Sequence, residues 1–440
     1  MDQTALISAA VMLTVLAGGI VAMAGFRMSQ ALVMPLVAAI FLVMSAGTAT
    51  AVITQSLSEF AAVALIFTAI AIPAHQLQRS HLFEQLGARL GGLIGRVGLG
   101  FPRLELLVLV GLALGLTWLA AALLHNITGI FVMTPILIAI CMSYGVPSRW
   151  VLCGALVASN LGGFSLATAD TPNIIESRTF GLAQMDFIRE IMPLNLGVLA
   201  LVALIVAGLT AHDMRIQGRT LSDAVKTRET VRWRRLAIET QLDMRLVLVG
   251  LGVLGGFILS QFIRRDLEVA AAALAIFIAV AGDHKEKRLE SLFSLSPEVY
   301  GTLASVFIIA HCISHSLIGA MLEHMIRDSH GAIWAIAVSS YLGTSLTEAA
   351  SWAQAAAPIT YAVNGGHAAA WALGAGICAG SSSVLTAASA GIILWRESQR
   401  TPGHGVSFSS YLPFGVGVSL LMLGLYIIAI GLLYASGHAP

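Results

Sequence analysis

Runs of about twenty apolar residues recur along the whole 440-residue chain, and they constrain its fold more than any other feature. A helix that crosses a bilayer needs about 20 mostly apolar residues, because inside lipid every backbone polar group must be bonded within the protein. Such runs lie near 5–25, 31–53, 58–77, 150–175, 192–210, 244–262, 267–282, 300–321, 367–395 and 410–437. Two further apolar regions, 104–144 and 331–364, are interpreted as hairpins. The pattern predicts an all-α polytopic membrane protein with about ten transmembrane helices.

The composition supports this fold class and excludes others. Apolar residues make up 57% of the chain and charged residues only 11%, whereas a soluble domain carries about 25% charged residues. The outer surface must therefore face lipid, which excludes a disordered chain, a secreted disulfide scaffold and a cytosolic enzyme. The net charge of +1 gives no electrostatic reason to expect a nucleic-acid partner.

The distribution of basic residues predicts the orientation. With both termini outside and ten spans, 19 of the 24 lysine and arginine residues fall in one set of loops and five in the other. Cytoplasmic loops carry the excess of such residues. We therefore expect an integral protein of the cell (inner) membrane with both termini extracytoplasmic.

Two segments of the chain are similar to each other. His125 is followed by Asn-Ile-Thr-Gly and, ten residues on, by Pro135, while Glu348 is followed by Ala-Ala-Ser-Trp and, ten residues on, by Pro358. Each half has five predicted spans and one hairpin, so the second copy is inverted relative to the first. This arrangement is typical of secondary transporters with inverted repeats, whose sites lie near the membrane midplane.

The predicted organisation follows from this repeat. It comprises a first inverted repeat over 1–210 (hairpin 104–144, broken helix 150–175), a cytoplasmic linker over 211–243, and a second inverted repeat over 244–440 (hairpin 331–364, broken helix 367–395).

Helix-breaking residues and polar residues coincide at two places. Segment 159–173 combines Gly-Gly and Thr-Pro-Asn with an acid and two asparagines, and segment 379–389 contains Gly-Ser-Ser-Ser. Irregular backbone at membrane depth is tolerated only where it is buried in protein or lines a wet cavity. The pattern favours a binding site, and close packing of small residues remains the alternative, more so for the second segment.

Two acids lie deep in the predicted spans, Asp170 and Glu348. Insertion of a deep acid costs roughly 2.5–3.5 kcal/mol, so each is a functional candidate, with a neutralised structural acid as the alternative. Oxygen ligands suit a hard cation such as Na+, and a buried carboxyl group can exchange a proton for it. His125 and Glu348 occupy equivalent positions, which predicts a proton-sensitive pair. His311 and His315 are interpreted as packing or helix-bonding residues.

The sequence His-Asn-Ile-Thr-Gly-Ile-Phe-Val-Met-Thr-Pro over 125–135, with Ser-Asn-Leu-Gly-Gly and Ala-Asp-Thr-Pro-Asn within 159–173, resembles the ion transporter superfamily. That group includes the arsenite efflux permeases, one class of Na+/H+ antiporters, the melanosomal P protein and the citrate and dicarboxylate carriers. The resemblance covers about 60–210 and 300–395. It implies two re-entrant hairpins and two broken helices, with the coupling cation and the substrate bound between the hairpin tips and the helix breaks.

The resemblance also implies the residues of the site. In the first half they are His125, Asn126, Thr128, Ser159, Asn160, Gly163, Thr168, Asp170 and Asn173, with Na+ at Asn126, Asn160 and Asp170; in the second half they are Thr347, Glu348, Ser381, Ser383 and Thr386. The second half departs from the pattern, since Ala349 and Ala390 stand where asparagines are expected.

The function predicted from these features is secondary active transport, with Na+ or a similar monovalent cation exchanged for H+. The alternatives are a Na+- or H+-coupled carrier of citrate or a dicarboxylate, and an arsenite or antimonite efflux permease. No enzyme motif and no phosphate-binding loop occurs in the sequence. We expect no cofactor beyond Na+ and H+ as coupling ions. The expected partners are the lipid bilayer and a small ion or molecule, and a homodimer is left open because relatives are often dimers.

Overall fold

The computed structural model of the chain describes most of its residues. They are 3–24, 28, 30–45, 47, 49–82, 85, 89, 102–217, 241–263, 268–292, 297–328, 332–346, 348–385, 387–399, 401 and 403–435. Most of the predicted linker 211–243 lies outside the described residues.

The described part of the chain forms helices and contains no strand. The helices are α1 (Gln3–Ala24), α2 (Gln30–Met44), α3 (Ala49–Arg79), α4 (Pro102–Leu124), α5 (Asn126–Tyr144), α6 (Ser148–Gly163), α7 (Thr171–Phe180), α8 (Gln184–Ile216, with a π turn at Phe187–Ile191), α9 (Met244–Ile263), α10 (Glu268–Gly282), α11 (Arg288–Leu292), α12 (Pro297–Ser314), α13 (Leu317–Asp328), α14 (Ile333–Leu346), α15 (Ala349–Val363), α16 (His367–Ser381), α17 (Ser389–Gln399) and α18 (Phe408–Ala435).

Among these residues, four helices are long and apolar enough to cross a membrane: Leu106–Leu124, Asn126–Tyr144, Gln184–Ile216 and Phe408–Tyr434. Shorter apolar helices cover Ile7–Gly19, Leu32–Met44, Met244–Phe257 and Ala270–Gly282. The protein is therefore an all-α polytopic membrane protein, as predicted. Both helices of the first predicted hairpin have the length of a span, so its re-entrant character stays a prediction.

Two hairpins pack against two broken helices. Helices α4 and α5 turn back on each other at His125. They pack so closely that a Cβ on Gly129 would lie 2.7 Å from the backbone of Ala121. Helix α6 then ends at Gly163, and α7 begins at Thr171 after a non-helical stretch. In the second half α14 and α15 form the hairpin, and α16 and α17 flank the break. Each predicted broken helix is thus two separate helices.

Equivalent contacts recur in the two halves. The amide of Asn126 donates to the Ala169 carbonyl oxygen at 2.9 Å, and the amide of Ala349 donates to the Ala387 carbonyl oxygen at 3.2 Å. Each contact ties the first residue after a hairpin tip to the end of a helix break. Each half also brings a glycine of the broken helix against the backbone of the hairpin: Gly162 against Trp118, and Gly380 against Tyr341. The hairpin residues Asn126 and Trp118 are each separated from their second-half counterparts by the same number of positions. The break residues Ala169 and Gly162 likewise share one separation from theirs.

The helices that follow the breaks cross to the opposite half. Helix α7 packs against α15 and α16, whereas α17 packs against α5 and α6. One apolar core runs through α4–α8 and α14–α18, and smaller cores join α3 to α9 and α10 and join α1 and α2 to α12. The two breaks therefore lie inside the contact between the halves.

A polar cluster lies where the ends of α3 and α10 meet the start of α9. Arg79 Nη1 donates to Asp283 Oδ2 at 2.9 Å, and Arg245 Nε donates to the Gly282 carbonyl oxygen at 3.0 Å. His284 Nε2 lies 2.7 Å from Asp243 Oδ2, and this hydrogen bond lowers the pKa of the Asp243 carboxyl group below its usual 3.8. The ends of α3 and α10 and the start of α9 thus meet on one face.

Candidate functional site

The tip of the first hairpin is a single strained residue. His125 lies between α4 and α5 with φ 72°, in a region that residues other than glycine rarely adopt. Such a conformation costs about 1–3 kcal/mol and persists where the surroundings enforce it, most often at functional sites. The side chain is buried, and its Nε2 lies 4.0 Å from Asp170 Oδ1.

Next to this tip, four of the predicted residues form one hydrogen-bonded cluster. Asn126 Nδ2 donates to Asn160 Oδ1 at 3.0 Å and to Asp170 Oδ2 at 3.1 Å. Ser159 Oγ donates to both oxygens of Asn126, the side-chain contact being very short. We call Asn126, Ser159, Asn160 and Asp170 the first cluster.

Helix starts and ends place these side chains. Asp170 is the N-cap of α7 and accepts a hydrogen bond from the Thr171 amide at 2.9 Å, with Pro172 in the first turn. Aspartate at the N-cap and proline in the first turn both favour a helix start. The Asp170 side chain remains 21% exposed. The first cluster is therefore buried, with its opening at the carboxylate.

Asn173 and Gly163 shape the break itself. Asn173 Nδ2 donates to the carbonyl oxygens of Gly163 at 2.6 Å and of Leu166 at 2.8 Å, so it bonds carbonyls freed where α6 ends. A Cβ on Gly163 would lie 3.1 Å from Asp170 Oδ2. Both residues thus support the cluster from outside it.

The second predicted acid also caps a helix. Glu348 is the N-cap of α15, and its Oε2 accepts hydrogen bonds from the amides of Ala350 at 2.9 Å and Ser351 at 3.2 Å. Ser389 Oγ donates to Glu348 Oε1 at 3.4 Å. Ser389 was not among the predicted residues, and it begins the helix that follows the second break.

One hydrogen bond joins the first cluster to the second break. Asn160 Nδ2 donates to Ser382 Oγ at 3.0 Å. The sequence singled out the flanking Ser381 and Ser383 instead. Ser381 bonds back to its own helix at the Ile377 carbonyl oxygen, and Ser383 bonds to the Gly380 carbonyl oxygen and to Ser345. The run of three serines indicated a polar site at this break. Which serine bonds the other half depends on how α16 ends, and that is seen only in the structure.

The remaining predicted residues fall into two groups. Thr128 and Thr168 lie on the segments that form the site, and within the described residues neither has a hydrogen bond to the first cluster. Thr347 and Thr386 lie outside the described residues.

The structure also buries an acid that the predicted spans placed near a helix end. Glu176 lies on α7, and its side chain is fully buried. Its only sequence signal is its position two turns after Asp170 in a segment with few charges.

His311 and His315 behave as the sequence indicates. His311 Nδ1 lies 2.9 Å from the Phe307 carbonyl oxygen, and His315 Nδ1 lies 2.9 Å from the His311 carbonyl oxygen, so both rings bond along their own helix. All four cysteines are buried and free. No group of three or more His, Cys, Asp or Glu residues that could hold a metal ion occurs within the described ranges.

The charge of the buried interior is one-sided. Its buried acids include Glu176 and Glu348, and the buried residues of the described part include no lysine or arginine. The first cluster presents carboxylate, amide and hydroxyl oxygens, which are the ligands that hard cations prefer. The amides at the starts of α7 and α15 already bond the carboxylates of Asp170 and Glu348, so these helix ends are less available to an anion.

Comparison with known proteins gives a consistent result. Residues 4–376 match the profile of a protein family described as citrate transporter. A protein named magnetosome protein MamN from Paramagnetospirillum magneticum is 28% identical over 359 residues, which cover 78% of each chain. Its namesake from Magnetospirillum gryphiswaldense is 27% identical over 352 residues, 77% of this chain and 76% of its own. An uncharacterized transporter of Mycobacterium tuberculosis is 33% identical over 135 residues, 30% of this chain and 31% of its own.

Proposed function

The chain belongs to the citrate transporter family, and on that premise we propose that it is a secondary active transporter that exchanges Na+ or a similar monovalent cation for H+. The observation that carries this proposal is the first cluster, a buried set of amide, hydroxyl and carboxylate oxygens at the contact between the halves. Membership of the family makes the protein an integral membrane transporter, and the exchanged ions are the proposal.

The cation binds at Asn126, Asn160 and Asp170. In the structure these side chains bond to one another, so an entering cation replaces hydrogen bonds that link them. The Asp170 carboxylate supplies the charge that a monovalent cation needs, and its exposed edge provides the way in. Exchange then requires that binding of the cation and binding of a proton exclude each other.

The inverted repeat is the proposed basis of alternating access. The equivalent contacts of the two hairpins, and the crossing of α7 and α17 to the opposite halves, support two inverted repeats with boundaries near those predicted. Alternating access by such repeats moves one half against the other around a central site. The Asn160–Ser382 hydrogen bond joins the two halves at this site.

The location and the orientation are part of the same proposal. We place the protein in the cell (inner) membrane with both termini extracytoplasmic. The cluster of Arg79, Arg245 and Asp283 supports this orientation, because it brings together loop ends that the distribution of basic residues assigned to the cytoplasm.

A cation-coupled carrier of a small carboxylate is the second candidate, and the family match favours it. Citrate would then bind beside a cation held by the first cluster, since the buried interior of the described residues supplies no lysine or arginine. No comparable observation favours arsenite or antimonite efflux.

Inverted vesicles with a preformed pH gradient and a proton-sensitive dye test the exchange. Addition of NaCl, compared with choline chloride, should collapse the gradient in vesicles that contain the protein. Asp170→Asn should abolish this response, since it removes the charge and keeps an oxygen for the helix cap. Asp186→Asn is the matched control, because Asp186 caps the Ala183 amide on the exposed surface. Full activity of Asp170→Asn would remove Asp170 from the site, and gradient-driven uptake of labelled citrate without a Na+ response would favour the second candidate.

A further inference from the structure

Glu176 is a buried acid without a hydrogen-bond partner among the described residues. It lies in the middle of α7, with no exposed surface, and neither carboxyl oxygen accepts a hydrogen bond from any residue that the structure describes. Buried polar groups in proteins are almost always bonded, and a buried unpaired carboxylate is far more costly than a neutral carboxyl group. A structural role does not account for a side chain that bonds nothing.

The carboxyl group lies at the contact between the halves. A Cβ on Gly374 of α16 would come within 2.5 Å of Glu176 Oε2, and the Phe164 ring closes the same space from the first helix break. A glycine at 374 therefore leaves room for this carboxyl group. Because α7 packs against α15 and α16 of the other half, a movement between the halves changes what covers Glu176.

The equivalent position in the second half shows what packing alone would use. Leu394 on α17 follows Glu176 by the same number of residues that separates Ala387 from Ala169, and it is fully buried. A leucine thus fills the same place on the other crossing helix. Replacement of buried charged groups by well-packed apolar residues is often neutral or stabilising, so the acid is present for a reason other than stability.

The groups around Glu176 offer it no positive charge. Asp170 caps the start of α7 itself, Glu348 caps the neighbouring α15, and Cys378 is buried on α16. Arg178, on α7 itself, is exposed. A carboxylate in this arrangement would lack a counter-charge, whereas a neutral carboxyl group needs none.

We propose that Glu176 is a proton-binding site of the transport cycle, separate from the cation-binding first cluster. The carboxylic acid keeps its proton while α7 and α16 cover it. When the halves move and water reaches it, its O–H bond breaks and the proton passes to water as hydronium, leaving a carboxylate that takes a proton from hydronium on the other side. This inference rests on the proposed H+-coupled function, which it deepens by assigning the proton to its own residue.

Transport measurements with purified protein in liposomes separate coupling from binding. Glu176→Gln should lose uptake of labelled Na+ driven by a pH gradient, and should keep Na+–Na+ exchange at equal pH, which moves no proton. Glu176→Leu, which copies the second-half residue, should behave in the same way and remain folded. Glu397→Gln, the same substitution at a buried glutamate of α17, should leave both activities intact. Wild-type coupling in Glu176→Gln with an unchanged pH profile would overturn the proposal.

An infrared titration of the purified protein makes the test independent of the transported ion. The carbonyl stretch of a protonated carboxylic acid should be present near neutral pH in the wild type. The part of this band that Glu176 contributes should be missing in Glu176→Gln and retained in Asp170→Asn. An unchanged band in Glu176→Gln refutes the proton site even if the protein exchanges Na+. Loss of the band in a protein without Na+/H+ exchange would support the site while the proposed exchange fails.

Discussion

Replacement of Gly162 by alanine would place a methyl group between α6 and the backbone of α4. The added Cβ would lie 2.9 Å from Ala121 Cβ and nearer still to the Trp118 carbonyl oxygen. Excess volume in a packed core costs typically about 1–3 kcal/mol, and rigid backbone on both sides places this site at the upper end. Alanine returns about 1 kcal/mol of helix propensity. We therefore expect Gly162→Ala to destabilise the protein by about 2 kcal/mol.

The assay is the thermal unfolding midpoint of purified variants in one detergent at one heating rate. Gly380→Ala should also lower the midpoint, because its Cβ would lie 2.7 Å from the Tyr341 carbonyl oxygen. Gly208→Ala is the control, since nothing lies within 4 Å of its added Cβ, and it should raise the midpoint slightly through helix propensity. A Gly162→Ala midpoint equal to that of Gly208→Ala would refute the close approach of α6 to α4.

Three further substitutions have definite expected outcomes. Glu348→Gln keeps an acceptor for the cap of α15 and removes a titratable carboxyl group, so it should shift the pH optimum of transport; an unchanged profile would reduce Glu348 to a helix cap. His311→Ala should leave transport per folded molecule unchanged, since its ring nitrogen bonds the Phe307 carbonyl oxygen of its own helix; loss of transport would contradict that assignment. His284→Ala should lower stability at neutral pH by less than about 1 kcal/mol. Because the pKa of Asp243 is lowered in the folded state, this difference should disappear as pH falls below 3.8.

Most of the first cluster could be predicted from the sequence. Ser159, Asn160 and Asp170 belong to a segment in which helix breakers and polar residues coincide, and Asn126 is implied by the family resemblance of 125–135. The structure brings all four together. Their proximity is predictable because a helix end is decided by a few neighbouring residues, and a break at membrane depth needs polar partners.

The residues that were missed depend on contacts between distant segments. The choice of Ser382 over its neighbours is decided by how α16 ends beside Asn160. The burial of Glu176 is decided by α15 and α16, which pack over a helix whose own sequence places it near the end of a span. Neither contact leaves a periodic trace in the sequence.

The apolar runs by themselves determine that this chain is helical and embedded in a membrane, since a chain with so few charges cannot cover its surface in water. The local breakers determine where its helices are interrupted. Only the tertiary structure decides that α7 and α17 cross into opposite halves, and therefore which acids are covered and which one is left open. The physical reason is that helix formation depends on neighbours within a turn, whereas burial depends on elements hundreds of residues apart.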